Sequence, residues 1–204
     1  MRRGMLVLAA AAAFGLGAPA ASAAPTEITF GGVSFTPNDV TVNFVPGENT
    51  FEWNRDEPVA KTFHSVTSTG GNFGVGPSSF TDFDLRASAG TYPYYCVNHG
   101  SGGSGPMAGV VAVRPIVTGA DNDSYDVVWA DGGTQTGSTF EARWKKDGQD
   151  KWKRWSSFES NGRTFGQQDK PTDVKQNKTY LLQIRSRFPG TSKWSPKLTL
   201  TQPS

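Results

Sequence analysis

From Ala24 onward, apolar residues recur at alternate positions, and no stretch holds a convincing 3.6-residue period. Val40, Val42 and Phe44 share one face of an extended chain, as do Phe51 and Trp53, and then Tyr92, Tyr94 and Cys96. Successive side chains of a strand point to opposite faces, so a period of two describes half-buried strands and argues against amphipathic helices. Turn formers punctuate these runs at Pro46-Gly47, Asp131-Gly132-Gly133 and Asn161-Gly162. Short strands broken by turns predict an all-β chain, and 204 residues leave room for two β-sandwiches in tandem. Hydrophobic residues make up 36% and charged residues 19%, too apolar and too weakly charged for a disordered polymer.

The first 23 residues read as an address. Arg2 and Arg3 precede an apolar run from Met5 to about Leu16, and small residues follow as far as Ala21-Ser22-Ala23. This is the order of a cleaved signal peptide, so residues 1–23 are set apart and a secreted, extracytoplasmic protein is expected. The run is shorter than the roughly 20 residues that span a bilayer. What remains carries 18 basic and 18 acidic side chains, and no nucleic-acid partner is expected. The charge is uneven: residues 24–114 hold eight acids and four bases, residues 115–204 ten acids and fourteen bases. Composition shifts at Arg114-Pro115 as well, with one Trp before it and five after, and with no His, Cys or Met beyond it. We place the domain boundary there, giving domains at 24–114 and 115–204. A link this short, holding a proline, should limit how far the two swing.

The mature chain holds one cysteine, two histidines and one methionine: Cys96, His64, His99 and Met107. Three of them fall in YYCVNHGSGGSGPMAG (94–109), and His64 lies in KTFHSV. A thiolate, two imidazoles and a thioether are the donor set of a type 1 copper site, with His₂Cys in a trigonal plane and a weak axial Met. The thiolate donates strongly to Cu(II) and also suits Cu(I), and the soft thioether tolerates Cu(I), so little must move when an electron arrives. A free thiol outside the cell is open to oxidation unless a metal holds it. Gly100 to Gly105 fits G-x-G-x-x-G, but dinucleotide binding needs a helix after the turn, and none is expected here.

On these motifs, residues from about Thr26 to Arg114 resemble the cupredoxin family, most of all its plastocyanin-like members. FTPNDVTVNFVPGENTFEW (35–53) is similar to the strands ahead of the first ligand histidine, KTFHSV to the strand that bears it, and YYCVNHG…GPMAGVVAV to the Cys-His-Met loop with the last strand. The resemblance implies a Greek-key sandwich with one copper ion held by His64, Cys96, His99 and Met107. It places Ser65 as the polar residue tying the two ligand loops together, and Tyr95 as an outward side chain on a route for electrons. Seven residues separate His99 from Met107, more than is usual in plastocyanin, and Val97-Asn98 lacks the common Pro or Gly.

From Pro115 onward, SYDVVWA (124–130), TFEARWKK (139–146), TYLLQIRSR (179–187) and KLTLT (197–201) read as strands. The pattern resembles an immunoglobulin-like fibronectin type III domain, with Trp129 as its core tryptophan and Tyr180 as its tyrosine corner. Trp152 and Trp155 interleave with Lys151, Lys153 and Arg154, while Arg185 and Arg187 alternate nearby. Two readings stand: a cationic, aromatic surface through residues 144–155 for a cell-wall polymer, glycan or protein, or a ladder of Arg on Trp that only stabilises the sheet. With both histidines assigned to copper, none remains as a general base, so no enzyme is expected and no catalytic residue is named. Asp82 and Asp84 share a face and read as solvated surface. The expected function is single-electron transfer with a redox partner protein, and the alternative is a copper-binding, storage or adhesion module without an electron-transfer role.

Overall fold

A computed structural model describes residues 24–48, 50–55, 63–78, 82–121, 123–159, 161–166, 174–175 and 177–201. The expected signal segment, residues 1–23, lies outside them. The described residues are all-β, with no helix among them. Strands are numbered in chain order. Before residue 115 they are β1 (Thr26–Gly31), β2 (Ser34–Thr36), β3 (Asp39–Asn43), β4 (Phe51–Arg55), β5 (His64–Ser68), β6 (Gly74–Ser78), β7 (Asp82–Leu85), β8 (Gly90–Tyr95) and β9 (Ala108–Arg114). After it they are β10 (Ile116–Asp121), β11 (Ser124–Val128), β12 (Thr139–Lys146), β13 (Lys153–Phe158), β14 (Gly162–Gly166), β15 (Thr179–Phe188) and β16 (Leu198–Thr201).

The strands before 115 form two sheets, in the orders β2-β1-β4-β7 and β3-β9-β8-β5-β6. β1 runs parallel to β4 and β3 parallel to β9, and the other neighbours are antiparallel. Alternation decides which side chains go inside. In β8, Gly90, Tyr92 and Tyr94 are buried while Thr91, Pro93 and Tyr95 keep some exposure. Ile28, Phe30, Phe51, Trp53 and Leu85 from the first sheet meet Val66, Tyr92, Tyr94, Val111 and Val113 from the second in one core. Trp53 is its largest member, fully buried against Phe51, Phe73, Phe83 and the edge of Tyr94.

The strands after 115 form a second sandwich, with sheet orders β10-β11-β14 and β13-β12-β15-β16. Its core gathers Tyr125, Val127, Trp129, Phe140, Trp144, Phe165, Tyr180, Leu182, Ile184 and Leu200. Trp129 is fully buried, and the Tyr180 hydroxyl accepts the Lys175 backbone N–H at 3.1 Å, the corner bond of immunoglobulin-like sandwiches. β11, β12, β15 and β16 cover the four runs read as strands. The structure adds β10, β13 and β14, where Gly, Ser and charged residues mask the alternation.

The two sandwiches share a polar, largely buried seam. Thr91 and Lys193 exchange N–H···O bonds of 3.0 and 2.9 Å, a strand-like bridge between the halves. The buried Asn72 amide donates to Thr136 O (3.0 Å) and Ser186 Oγ (2.8 Å). Tyr92, Ser88 and Thr136 join their hydroxyls out of reach of water. At one end of the seam, the Asp131 carboxylate takes the Gly47 N–H at 2.6 Å and the Arg86 guanidinium at 2.8 Å. The proline link is thus reinforced by contacts far from it in sequence.

Candidate metal centre

β5 and β8 lie side by side, and their pairing puts His64 at the start of one near Cys96, just past the end of the other. Beyond β8 the chain makes one tight turn: the Cys96 carbonyl accepts both the His99 N–H (3.2 Å) and the Gly100 N–H (2.7 Å). That turn carries the His99 ring back over the sulfur. A Cβ on Gly100 would sit 2.7 Å from Met107 O, so only glycine lets the returning chain pass so close. Met107 O in turn accepts the Cys96 N–H at 3.0 Å.

The result is a compact donor group. Cys96 Sγ lies 3.9 Å from His64 Nδ1 and 3.5 Å from His99 Nδ1, and one ligand atom from each residue falls within 4.8 Å of the others. Cys96 and His64 are buried, and His99 is partly exposed. A metal bonded at about 2.3 Å to sulfur and about 2.0 Å to nitrogen sets those donors about 3.5 Å apart at a tetrahedral angle and about 3.7 Å apart at 120°. The two observed separations bracket the second value, so the residues present fit a single ion. Met107 is fully buried in the same core, with its backbone bonded to that of Cys96.

Around the donors, the polar contacts hold geometry. Ser65 N–H points at the Cys96 sulfur at 3.4 Å, and Ser65 Oγ accepts the Val97 N–H at 2.8 Å, which ties the two ligand-bearing segments together as the resemblance implies. Asn98 Nδ2 donates to Phe63 O at 2.7 Å and makes a second tie on the outer side. Phe30 meets the His64 ring edge-on at 5.6 Å between centroids. Neither role can be read from the sequence: Asn98 bridges the ends of two strands distant along the chain, and Phe30 reaches His64 from the opposite sheet. Tyr95, next to Cys96, is partly exposed while Tyr94 is buried, as strand alternation requires. The G-x-G-x-x-G segment forms a small hairpin in which Ser101 and Ser104 exchange N–H···O bonds of 2.8 and 2.9 Å, with Gly102 and Gly103 at φ 53° and 85°. Asp82 and Asp84 are exposed on β7.

The cationic, aromatic segment of the second sandwich divides between inside and outside. Trp144 and Trp155 face the core, where Trp155 meets Trp129, Phe158 and Phe165. The sequence placed Trp155 with Trp152 on the surface; a register shift in the β12–β13 pairing turns it inward. Outside, Arg143 stacks between Trp152 (4.5 Å) and Trp194 (4.2 Å), and Arg185 covers Trp194 at 4.4 Å. Arg143 also donates twice to Gln183 Oε1, and Arg185 binds Glu141 at 2.6 Å. Burial alone would raise the Glu141 carboxyl, but Arg185, Arg187 and Arg154 together hold it below its ordinary value. These cations have internal partners, the arrangement of a sheet-stabilising ladder.

No family model matches this chain, and no curated protein matches it. Solved structures do. A myokine structure is 14% identical over 46% of this chain and 96% of its own, with a TM-score of 0.36. The first three fibronectin domains of chicken contactin (CNTN1) are 11% identical over 71% of this chain and 56% of their own, at 0.35. Domains A168–A170 of titin are 15% identical over the same shares, at 0.34. The likeness goes no further than fibronectin- and immunoglobulin-like β architecture, and this chain spans little more than half of the contactin and titin chains.

Proposed function

We propose that this chain is an exported, cupredoxin-like copper protein that passes single electrons, with a fibronectin type III-like sandwich fixed to its copper domain. The observation that carries the reading is the convergence of two imidazole Nδ1 atoms on one buried sulfur, 3.5 and 3.9 Å away. His64, Cys96 and His99 would hold the ion, and the buried Met107 would offer a thioether as a fourth, weaker donor. Copper bound there supplies one-electron exchange between Cu(I) and Cu(II). The chain's own part is to keep the donors still. Ser65 fixes one ligand segment against the other, the Ser65 N–H shares charge on the sulfur, and the apolar core excludes water from Cys96. His99 alone of the three reaches the surface, so its ring edge is the short exit toward a redox partner protein. Tyr95 gives a second way out beside Cys96.

Export is supported by the order of residues 1–23 and by the free buried thiol, which a metal would protect. The test is to add Cu(II) to the purified mature chain. An intense visible thiolate-to-copper band, lost in Cys96→Ser, is the expected result. Colourless binding of Cu(I) alone would instead favour storage, and no binding would end the copper reading.

A further inference from the structure

We propose that the turn Thr69–Asn72 is a positioning element through which the C-terminal sandwich braces the loop carrying His99 and Met107. The inference rests on reading the His64–Cys96–His99 group as a metal centre. The loop between His99 and Met107 holds Gly at 100, 102, 103 and 105, so its own sequence gives it little stiffness. Its tip is nonetheless seated. A Cβ on Gly103 would lie 2.9 Å from Thr69 Cγ2 and 3.5 Å from Pro93 Cβ, so the bare backbone rests against both residues. Thr69 is itself fixed, its N–H bonded to Pro93 O at 2.9 Å.

The opposite side of the same turn is held by the second sandwich. Thr191 N–H donates to Gly70 O at 3.1 Å, and Asn72 reaches Thr136 and Ser186 with its buried amide. Ser68 Oγ takes the Asn72 and Phe73 N–H groups at 2.8 and 3.1 Å, which locks the turn to the end of β5, the strand that begins at His64. A Cβ on Gly190 would overlap Gly70 O, Gly71 C and Asn72 N, so backbone meets backbone with no space between. One rigid turn therefore touches the metal loop on one side and the distant module on the other. The C-terminal sandwich does more than act as a spacer: it holds the donor loop in place, as outer-shell groups do for metal ligands.

The experiment uses the full mature chain. Gly190→Ala changes no residue of the first sandwich, and its Cβ presses the modules apart at Gly70, Gly71 and Asn72; Asn72→Ala removes the grip from the other side should the first variant not fold. In the metal-free protein, hydrogen exchange at the Ser101 and Ser104 amides is expected to rise about tenfold, while amides in β12 and β15 keep their protection. With copper, the dissociation constant is expected to rise about tenfold, the low end for changes around ligands, with a shifted thiolate band. If loop exchange and copper affinity stay within about twofold of the parent in both variants, the brace is wrong. Should the parent itself bind no copper, the metal reading fails, and the exchange rates alone still decide whether the brace exists.

Discussion

At the residue scale, the centre depends on side chains whose roles separate by mutation. On the proposed copper reading, Met107→Leu should keep the thiolate colour, since the sulfur and both imidazoles remain, but shift the reduction potential; an unchanged potential by voltammetry would remove Met107 from the donor set. Ser65→Ala leaves the Val97 N–H without its 2.8 Å acceptor. The expected cost is about 0.5–1.5 kcal/mol of unfolding free energy, read by denaturant titration. It should be accompanied by a weaker hold on copper, because the two ligand segments lose their tie. Tyr92→Phe tests a different bond set. Burial pushes that phenol above its ordinary value, against the hydrogen bonds of Ser88, Thr136 and Ser192. Losing the hydroxyl destabilises the chain by about 1–3 kcal/mol, read by thermal melting, without altering the copper spectrum.

At the scale of elements, β5 and β8 are the strands that matter, and each is framed on both flanks. β9 pairs with β8 along its length, and on the β3 side of β9 Gly109 leaves room for the Asn38 carbonyl, which a Cβ would overlap. The second sandwich is closed by the stack of Trp152, Arg143, Trp194 and Arg185 on its outer sheet. Trp194→Ala removes two cation–π contacts worth about 0.5–1 kcal/mol each at exposed sites. It should lower stability by about 1–2 kcal/mol in urea, since Trp194 O also accepts the Thr91 hydroxyl at 2.9 Å only while the loop stays docked. If instead stability is unchanged and affinity for an anionic polymer falls, the ladder is a binding surface and its stabilising role is secondary.

At the scale of the whole molecule, the seam makes two sandwiches behave as one. Calorimetry should show a single transition with equal calorimetric and van't Hoff enthalpies, and copper should raise its midpoint by binding the folded state. The seam also sets a pH dependence. Burial alone would raise the Asp131 carboxyl, but the Gly47 and Gly133 N–H groups and the Arg86 guanidinium together hold it below its ordinary value. A carboxyl depressed in the folded chain adds stability above the usual carboxylate range, near pH 4, and loses it as pH falls through the folded value. Asp131→Asn should therefore lower stability by about 1–3 kcal/mol at pH 7, and the gap from the parent should close toward pH 2. A gap that persists in acid would mean that the carboxylate charge is not what clamps the seam.

The sequence by itself determined the β class, the place where composition changes and the four scarce donor residues, because alternation and residue chemistry are local properties. His64 and Cys96 are 32 positions apart, yet their residue types already marked them as candidates for one site, and the fold brings them together. Alternation also told Tyr95 from Tyr94. It failed where a register shift intervened, at Trp155, and where Gly, Ser and charged residues masked it, at β10, β13 and β14. Only the tertiary structure decided that two imidazoles face one sulfur, that Asn98 adds a second tie beside the one expected of Ser65, and that Asn72 and Thr91 weld the halves together. Those contacts join the ends of paired strands and the faces of two sandwiches, and such distances are set by how strands pair and whole layers pack, which no period along the chain encodes.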